Sequence, residues 1–218
     1  TQSSAVAAPC RWTRKLVPGT AHAVVVNSGN ANAATGPQGE ADAESMDRAT
    51  AHALGCELGH VLVCSTGVIG VPLPMDRLLP AIGRASADLS ASGNDAARAI
   101  MTTDDGPKEA ACCVDGITVG GMTKGAGMIH PHMATMLAFV VTDLEADSDL
   151  LKSDVKQASD LTCNRSSSDG DMRTNDAVLL FANGASGIKA DAKPELLAAF
   201  QQTVFLVCDD LAEKIVGD

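Results

Sequence analysis

The chain has 218 residues, enough for one sizeable hydrophobic core or two small ones. It contains no tyrosine and a single tryptophan, so aliphatic side chains and methionine must fill the interior. Its net charge of −11 repels phosphate backbones and argues against a nucleic-acid partner, and no apolar run approaches the ~18–20 residues of a bilayer-spanning helix, so no membrane partner is expected.

Seven cysteines lie at positions 10, 56, 64, 112, 113, 163 and 208, an odd number without a C-x-x-C pair. That usage suits reduced thiols in a cytosol-like compartment better than a disulfide framework. The opening residues Thr1–Pro9 lack the basic and apolar regions of a signal peptide. The expected location is cytoplasmic, or an organelle matrix in a eukaryote.

In chain order, residues 1–21 read as irregular, broken by Pro9, Pro18 and Gly19. His22–Val26 is a short buried strand that enters a loop of small polar residues, Asn27–Gly36. Glu40–Leu58 reads as a helix that frays at Gly55. Val61–Cys64 is a second strand, which ends in a turn at Ser65-Thr66-Gly67. Helices follow over Pro72–Ser90 and Asn94–Met101, then a turn over Thr102–Pro107. Ala110–Val114 and Ile117–Gly120 form a strand pair across Asp115-Gly116, a dipeptide typical of tight hairpins.

The glycine- and proline-containing stretch 124–134 is punctuation, and the apolar run 135–142 reads as a buried strand with Thr135 at its start. Ser148–Asn164 has the spacing of an amphipathic helix. A polar loop over 165–176, a strand over Ala177–Ala182 and a helix over Pro194–Val216 complete a mixed α/β pattern.

Three places could carry chemistry. A threonine hydroxyl is a weak nucleophile, but a cut between Ala134 and Thr135 would supply Thr135 with its own α-amine as base, which titrates at about 7.7–8.0. An ordinary core strand that begins with threonine explains the same residues. Thr66 and Gly67 follow a strand directly. A hydroxyl and a glycine N–H there would make an oxyanion hole, with the Thr66 hydroxyl facing outward; a plain strand-ending turn is the alternative. Lys124, at the start of the glycine-rich turn, is either a solvated lysine or a group within reach of Thr135. His130-Pro131-His132 lacks the partners of a zinc site, and Asp169-Gly170-Asp171 does not continue into a calcium loop, so no metal is expected. Gly125-Ala126-Gly127 does not continue as a dinucleotide fingerprint.

Five stretches in order resemble the ornithine acetyltransferase family, also called glutamate N-acetyltransferases. They are Val26–Ala33; Ser65–Gly70 with Pro72–Pro74; Ile100–Asp104 with Pro107–Ala110; Lys124–Met128 with Met133–Leu137; and Asp169–Asp171 with Thr174–Asp176. The resemblance implies a layered α/β fold of the aminopeptidase-like N-terminal-nucleophile type, with sheets between helices. It implies self-cleavage at Ala134–Thr135, giving an α portion (1–134) and a β portion (135–218) of one catalytic domain. Thr135 would be the nucleophile and a substrate contact. Thr66 and Gly67 match the oxyanion positions, while Lys124 and Thr102 match substrate-binding positions, with Thr103 the neighbouring alternative.

The implied reaction moves the acetyl group of N-acetylornithine to glutamate, in arginine biosynthesis, without a cofactor. Acetyl-CoA as a further donor stays open, and two α with two β chains is the implied assembly. Family members are longer, and the chain stops at Val216-Gly217-Asp218, where they continue into a Gly-Glu-Gly run, so the sequence reads as a fragment. Asp105-Gly106 and Ser166–Ser168 also depart from the family's usual residues. A hydrolase of the same fold (an aminopeptidase or amidase) and a non-catalytic subunit are the rival readings.

Overall fold

The computed structural model describes residues 5–126, 136–163 and 174–218. These residues form two compact units, one of residues 5–92 and 174–176, the other of 93–126, 136–163 and 177–218.

The first unit is built on two parallel strands, β1 (Ala23–Asn30) and β2 (Val61–Val68), with three helices, α1 (Ala8–Arg14), α2 (Gly36–Leu54) and α3 (Met75–Ala87). Residues 61–66 of β2 are all buried, as expected of a parallel strand covered on both faces. A core of Ala43, Met46, Val63, Leu73 and Ile82 packs with Trp12, Val25 and Leu78. Trp12 also lies under Lys15, whose Nζ stands 5.0 Å from the ring centroid.

Helix α1 occupies part of the stretch that composition marks as irregular. Pro9 lies in its first turn, where a missing N–H costs nothing, so the residue that reads as a breaker starts the helix instead. The helix also completes β2: Thr13 Oγ1 donates to the Val63 carbonyl at 2.8 Å and accepts the Val63 N–H at 2.9 Å. Helix α2 begins and ends about four residues earlier than the periodicity indicates. Pro37 sits in its first turn, and Gly55, at φ 69°, caps it in the left-handed conformation.

Both strands run further than their apolar residues do. Asn27–Asn30 reads as a loop, yet it pairs with Ser65–Val68 in unbroken parallel register up to Asn30, where the register shifts. The polar side chains satisfy one another: Ser65 Oγ donates to Asn27 Oδ1 at 2.5 Å, and Asn27 Nδ2 donates to the Asn30 carbonyl at 2.8 Å. Gly29 and Gly67 face each other in this register. Gly67 has φ 129°, and a Cβ on it would lie 2.2 Å from the Gly29 carbonyl carbon.

The second unit is a four-stranded sheet in the order β3-β4-β5-β6: Lys108–Val114, Ile117–Lys124, Leu137–Thr142 and Ala177–Ala182. The first two pairings are antiparallel and the last is parallel. Asp115 and Gly116 close the β3–β4 hairpin with φ of 50° and 82°, the conformation a two-residue turn of this type requires. Helices α4 (Gly93–Ala99), α5 (Ser148–Leu161) and α6 (Pro194–Val216) belong to this unit. Val119, Val140, Leu144, Phe200, Val204 and Leu211 form its core between sheet and helix α6. Asp147 caps α5 by accepting the Leu150 N–H at 3.2 Å.

The expected mixed α/β class, with sheets flanked by helices, is what the chain forms. None of the described helices is long and apolar enough to cross a membrane. All seven cysteines are free of disulfides, and Cys64 and Cys208 are buried.

The Gly29–Gly67 approach makes a stability prediction. Gly67→Ala places a side chain against backbone that has no room to move, at a φ that L residues rarely adopt. The expected cost is about 3 kcal/mol or more, from backbone strain plus overpacking. Urea titration of the purified variant measures it, and a loss below about 1 kcal/mol would contradict the close approach.

Candidate functional site

Lys124 is the last residue of β4 and is 1% exposed. Lysine is almost never buried to this degree without partners. Its Nζ donates to Thr102 Oγ1 at 2.7 Å and lies 3.8 Å from Asp104 Oδ2. The solvated-lysine reading of Lys124 is therefore wrong: the strand continues four residues past Gly120 and carries the ammonium into the interior.

Thr102 and Asp104 sit on the loop between α4 and β3. Of the two adjacent threonines, Thr102 meets Lys124, whereas Thr103 is exposed. Asp104 accepts from both sides. Its Oδ2 takes the Thr102 N–H at 3.0 Å; its Oδ1 takes the Gly125 N–H at 2.6 Å and Lys108 Nζ at 2.9 Å. Lys108, the first residue of β3, is 5% exposed and also pairs with Asp218, whose carboxylate accepts the Asp105 N–H at 3.0 Å. The named side chains thus comprise two ammonium and two carboxylate groups, with a hydroxyl at one end.

Burial works to raise the Asp104 pKa. The N–H groups of Thr102 and Gly125, the Lys108 ammonium and the Lys124 charge outweigh it and hold the carboxyl below its ordinary range. Lys124 beside Thr102 is the part suited to binding a small anionic group next to a hydroxyl, because its ammonium is already desolvated and held, whereas Lys108 is turned to Asp104 and Asp218.

Thr66 and Gly67 lie in the first unit, near the end of β2. The outward-facing hydroxyl expected of Thr66 is not found: the residue is 0% exposed, and β2 runs on through it in register with β1. Gly67 is half-buried. Ala134 and Thr135, and with them the proposed cleavage bond, lie outside the described residues, as do His130, His132, Asp169 and Asp171. Among the described residues no group of three or more His, Cys, Asp or Glu could hold a metal ion.

Two contributors carry no role in the sequence reading. Asp104 stands within a motif of the family resemblance, yet nothing in its spacing tells that it links a loop to the end of a strand. Asn175, 1% exposed, donates through Nδ2 to the Ala31 carbonyl at 2.7 Å and the Ser65 carbonyl at 2.9 Å, and so fastens the chain beside Thr66. It reads as one more polar loop residue, because both acceptors are more than 100 positions away.

The sequence matches the ArgJ family over residues 1–218. It is 44% identical over 220 residues to the arginine biosynthesis bifunctional protein ArgJ of Streptomyces coelicolor, covering 100% of this chain and 56% of that protein. The ArgJ of Symbiobacterium thermophilum is 47% identical over 224 residues, covering 97% of this chain and 54% of that protein. The chain thus spans about half the length of the curated relatives it matches. Among solved structures, it is similar to the ornithine acetyltransferase of Mycobacterium tuberculosis in complex with ornithine, at 45% identity and a TM-score of 0.57, over 60% of this chain and 73% of that one. The ArgJ structure from Bacillus halodurans is 38% identical, with a TM-score of 0.53, over 62% of this chain and 73% of that one. These likenesses bear out the expected N-terminal-nucleophile type of fold.

The Asp104 contacts make stability depend on pH. Its folded pKa is depressed, so its contribution is present above the unfolded value of about 3.9 and is lost as pH falls through the folded value. Urea midpoints of wild type and Asp104→Asn should therefore differ most above about pH 5 and converge below about pH 4. A gap that stays constant down to the lowest accessible pH would contradict an ionised, fully bonded Asp104.

Proposed function

The chain belongs to the ArgJ family, and on that premise we propose that the protein transfers the acetyl group of N-acetylornithine to glutamate through an acetyl-threonine intermediate, a step of arginine biosynthesis. The observation that carries this reading is the family match across residues 1–218 at 44–47% identity to the relatives named above. The buried Lys124–Thr102 pair supports it, as a cation bonded to a hydroxyl at two positions that the resemblance assigns to the substrate.

The proposed sequence begins with autocleavage. Thr135 Oγ attacks the Ala134 carbonyl, the C–N bond breaks as the acyl group shifts to Oγ and frees the Thr135 amine, and water hydrolyses the ester, releasing the Ala134 carboxylate and the Thr135 hydroxyl and leaving portions 1–134 and 135–218 of one domain. In the first half-reaction the amine takes the Thr135 hydroxyl proton as Oγ attacks the acetyl carbonyl of N-acetylornithine. The amide C–N bond breaks, the proton passes to the leaving ornithine amine, and an acetyl ester remains on Thr135. Thr66 and Gly67 are assigned to the oxyanion. In the second half-reaction the glutamate amine attacks the ester, the C–O bond breaks, and Oγ recovers a proton. Lys124 and Thr102 are assigned to the substrate, no cofactor takes part, and acetyl-CoA is a further donor to be tested. The proposed assembly is two α with two β portions.

The test uses the full-length gene product. Purified protein should separate into two pieces, the second beginning Thr-Met-Leu-Ala-Phe, and Thr135→Ala should stay in one piece. Incubation with N-acetylornithine alone should add one acetyl mass to the second piece, and glutamate should remove it. Free acetate made at a rate indifferent to glutamate would indicate a hydrolase instead, and a Thr135→Ala protein that still splits at this bond would refute the nucleophile.

A second expectation concerns Thr66→Ala, which should lower kcat by roughly 10²–10³ if its hydroxyl acts on the transition state. Circular dichroism must accompany the kinetics, since Thr66 is buried. A folded variant with unchanged kcat would remove Thr66 from the oxyanion.

A further inference from the structure

Lys124 and Thr102 come from different places in the second unit: the end of a strand and a loop 22 positions earlier. Something must set the distance between them. Asp104 is bonded to the backbone on both sides of the pair, to the Thr102 N–H at 3.0 Å and to the Gly125 N–H at 2.6 Å. Neither bond involves the groups that would face a substrate. The third bond, from Lys108, ties the same carboxylate to the first residue of β3.

The geometry toward Lys124 differs. At 3.8 Å, Asp104 Oδ2 attracts the ammonium without a short hydrogen bond to it. Both carboxylate oxygens already have N–H partners, so Asp104 keeps a negative charge beside Lys124 while fixing the backbone that carries it. A carboxylate arriving at Lys124 has no short Asp104–Lys124 bond to break.

We propose that Asp104 is a positioning residue, which holds the Thr102 hydroxyl and the Lys124 ammonium in register for the carboxylate of an amino-acid substrate without touching that substrate. The inference rests on the acetyl-transfer reading above. Donor and acceptor amino acids both carry an α-carboxylate, so one displaced pair weakens both. Asn at position 104 keeps an oxygen but loses the charge, and its NH₂ group faces the Thr102 N–H or the Gly125 N–H, donor against donor.

The experiment is steady-state kinetics on the full-length protein, together with calorimetric binding of ornithine. In Asp104→Asn, KM for N-acetylornithine and KM for glutamate should both rise ~10-fold, with kcat falling less than ~3-fold and ornithine binding weakened in parallel. A residue needed only for folding would instead lower the active fraction, which lowers apparent kcat and leaves both KM values in place; that result overturns the proposal. Lys108→Met, which spares the bonds of Asp104 to Thr102 and Gly125, should lower the melting temperature and keep both KM values within ~2-fold. A KM rise there equal to that of Asp104→Asn also overturns it. If Asp104→Asn fails to accumulate, Asp104→Glu, which retains the charge but displaces it by one methylene, is read by the same split between KM and kcat, and unchanged KM values are fatal. Wild-type protein that neither transfers acetyl nor binds ornithine refutes the functional reading and this inference together. Wild-type transfer with an indifferent Asp104→Asn refutes this inference alone.

Discussion

A lysine ammonium with 1% exposure must find its counter-charge inside the protein, and much of the second unit is arranged around that requirement. Removing an ammonium from water costs several kcal/mol, and attraction offsets this only where the partners are close and fully bonded. Lys124 and Lys108 are both buried, and Asp104 and Asp218 stand against them. The start of β3, the end of β4, the loop after α4 and Asp218, beyond α6, therefore meet in one place. Apolar packing alone would hold sheet and helix together. The charge cluster adds a demand on direction that packing does not make.

The first unit meets a comparable constraint with neutral groups. A two-stranded parallel sheet leaves outer edges whose N–H and C=O groups need partners. Thr13 takes both polar groups of Val63, and Asn175 takes the carbonyls of Ala31 and Ser65. The facing glycines let the backbones approach where the strands turn polar. Side-chain hydrogen bonds here do the work that further strands do in a larger sheet.

How much of this was legible in the sequence depends on how local the cause was. The helices Ser148–Leu161 and Pro194–Val216, the strand Ala177–Ala182 and the Asp115-Gly116 hairpin follow from spacing, caps and turn residues within a few positions, and each appears within a few residues of its expected bounds. Asn27–Asn30 and Ser65–Val68 did not. Small polar residues favour turns when considered alone, and only the partner strand 38 positions away makes them a ladder. Lys124 stayed open for the same reason: spacing alone cannot choose between a solvated lysine and a buried one until Thr102 and Asp104 are placed next to it. The family resemblance marked Thr102 and Lys124, which are bonded to each other, because it registers pairings that a local reading cannot. It gave Asp104 no role, since that role is mechanical and shows only in bonds to backbone.

The aromatic residues are divided between the two units in a way that fixes what optical spectroscopy can see. Trp12, the sole tryptophan in a chain without tyrosine, packs in the core of the first unit beneath Lys15, whereas all four phenylalanines, at positions 139, 181, 200 and 205, belong to the second. Tryptophan emission is thus a private reporter of residues 5–92, and the unit that holds Lys124 is silent in that channel. Far-ultraviolet dichroism, to which α6 contributes its 23 helical residues, reads both. Agreement between the two midpoints means that the units unfold as one cooperative body, and a gap between them measures how far the first can melt while the second stands.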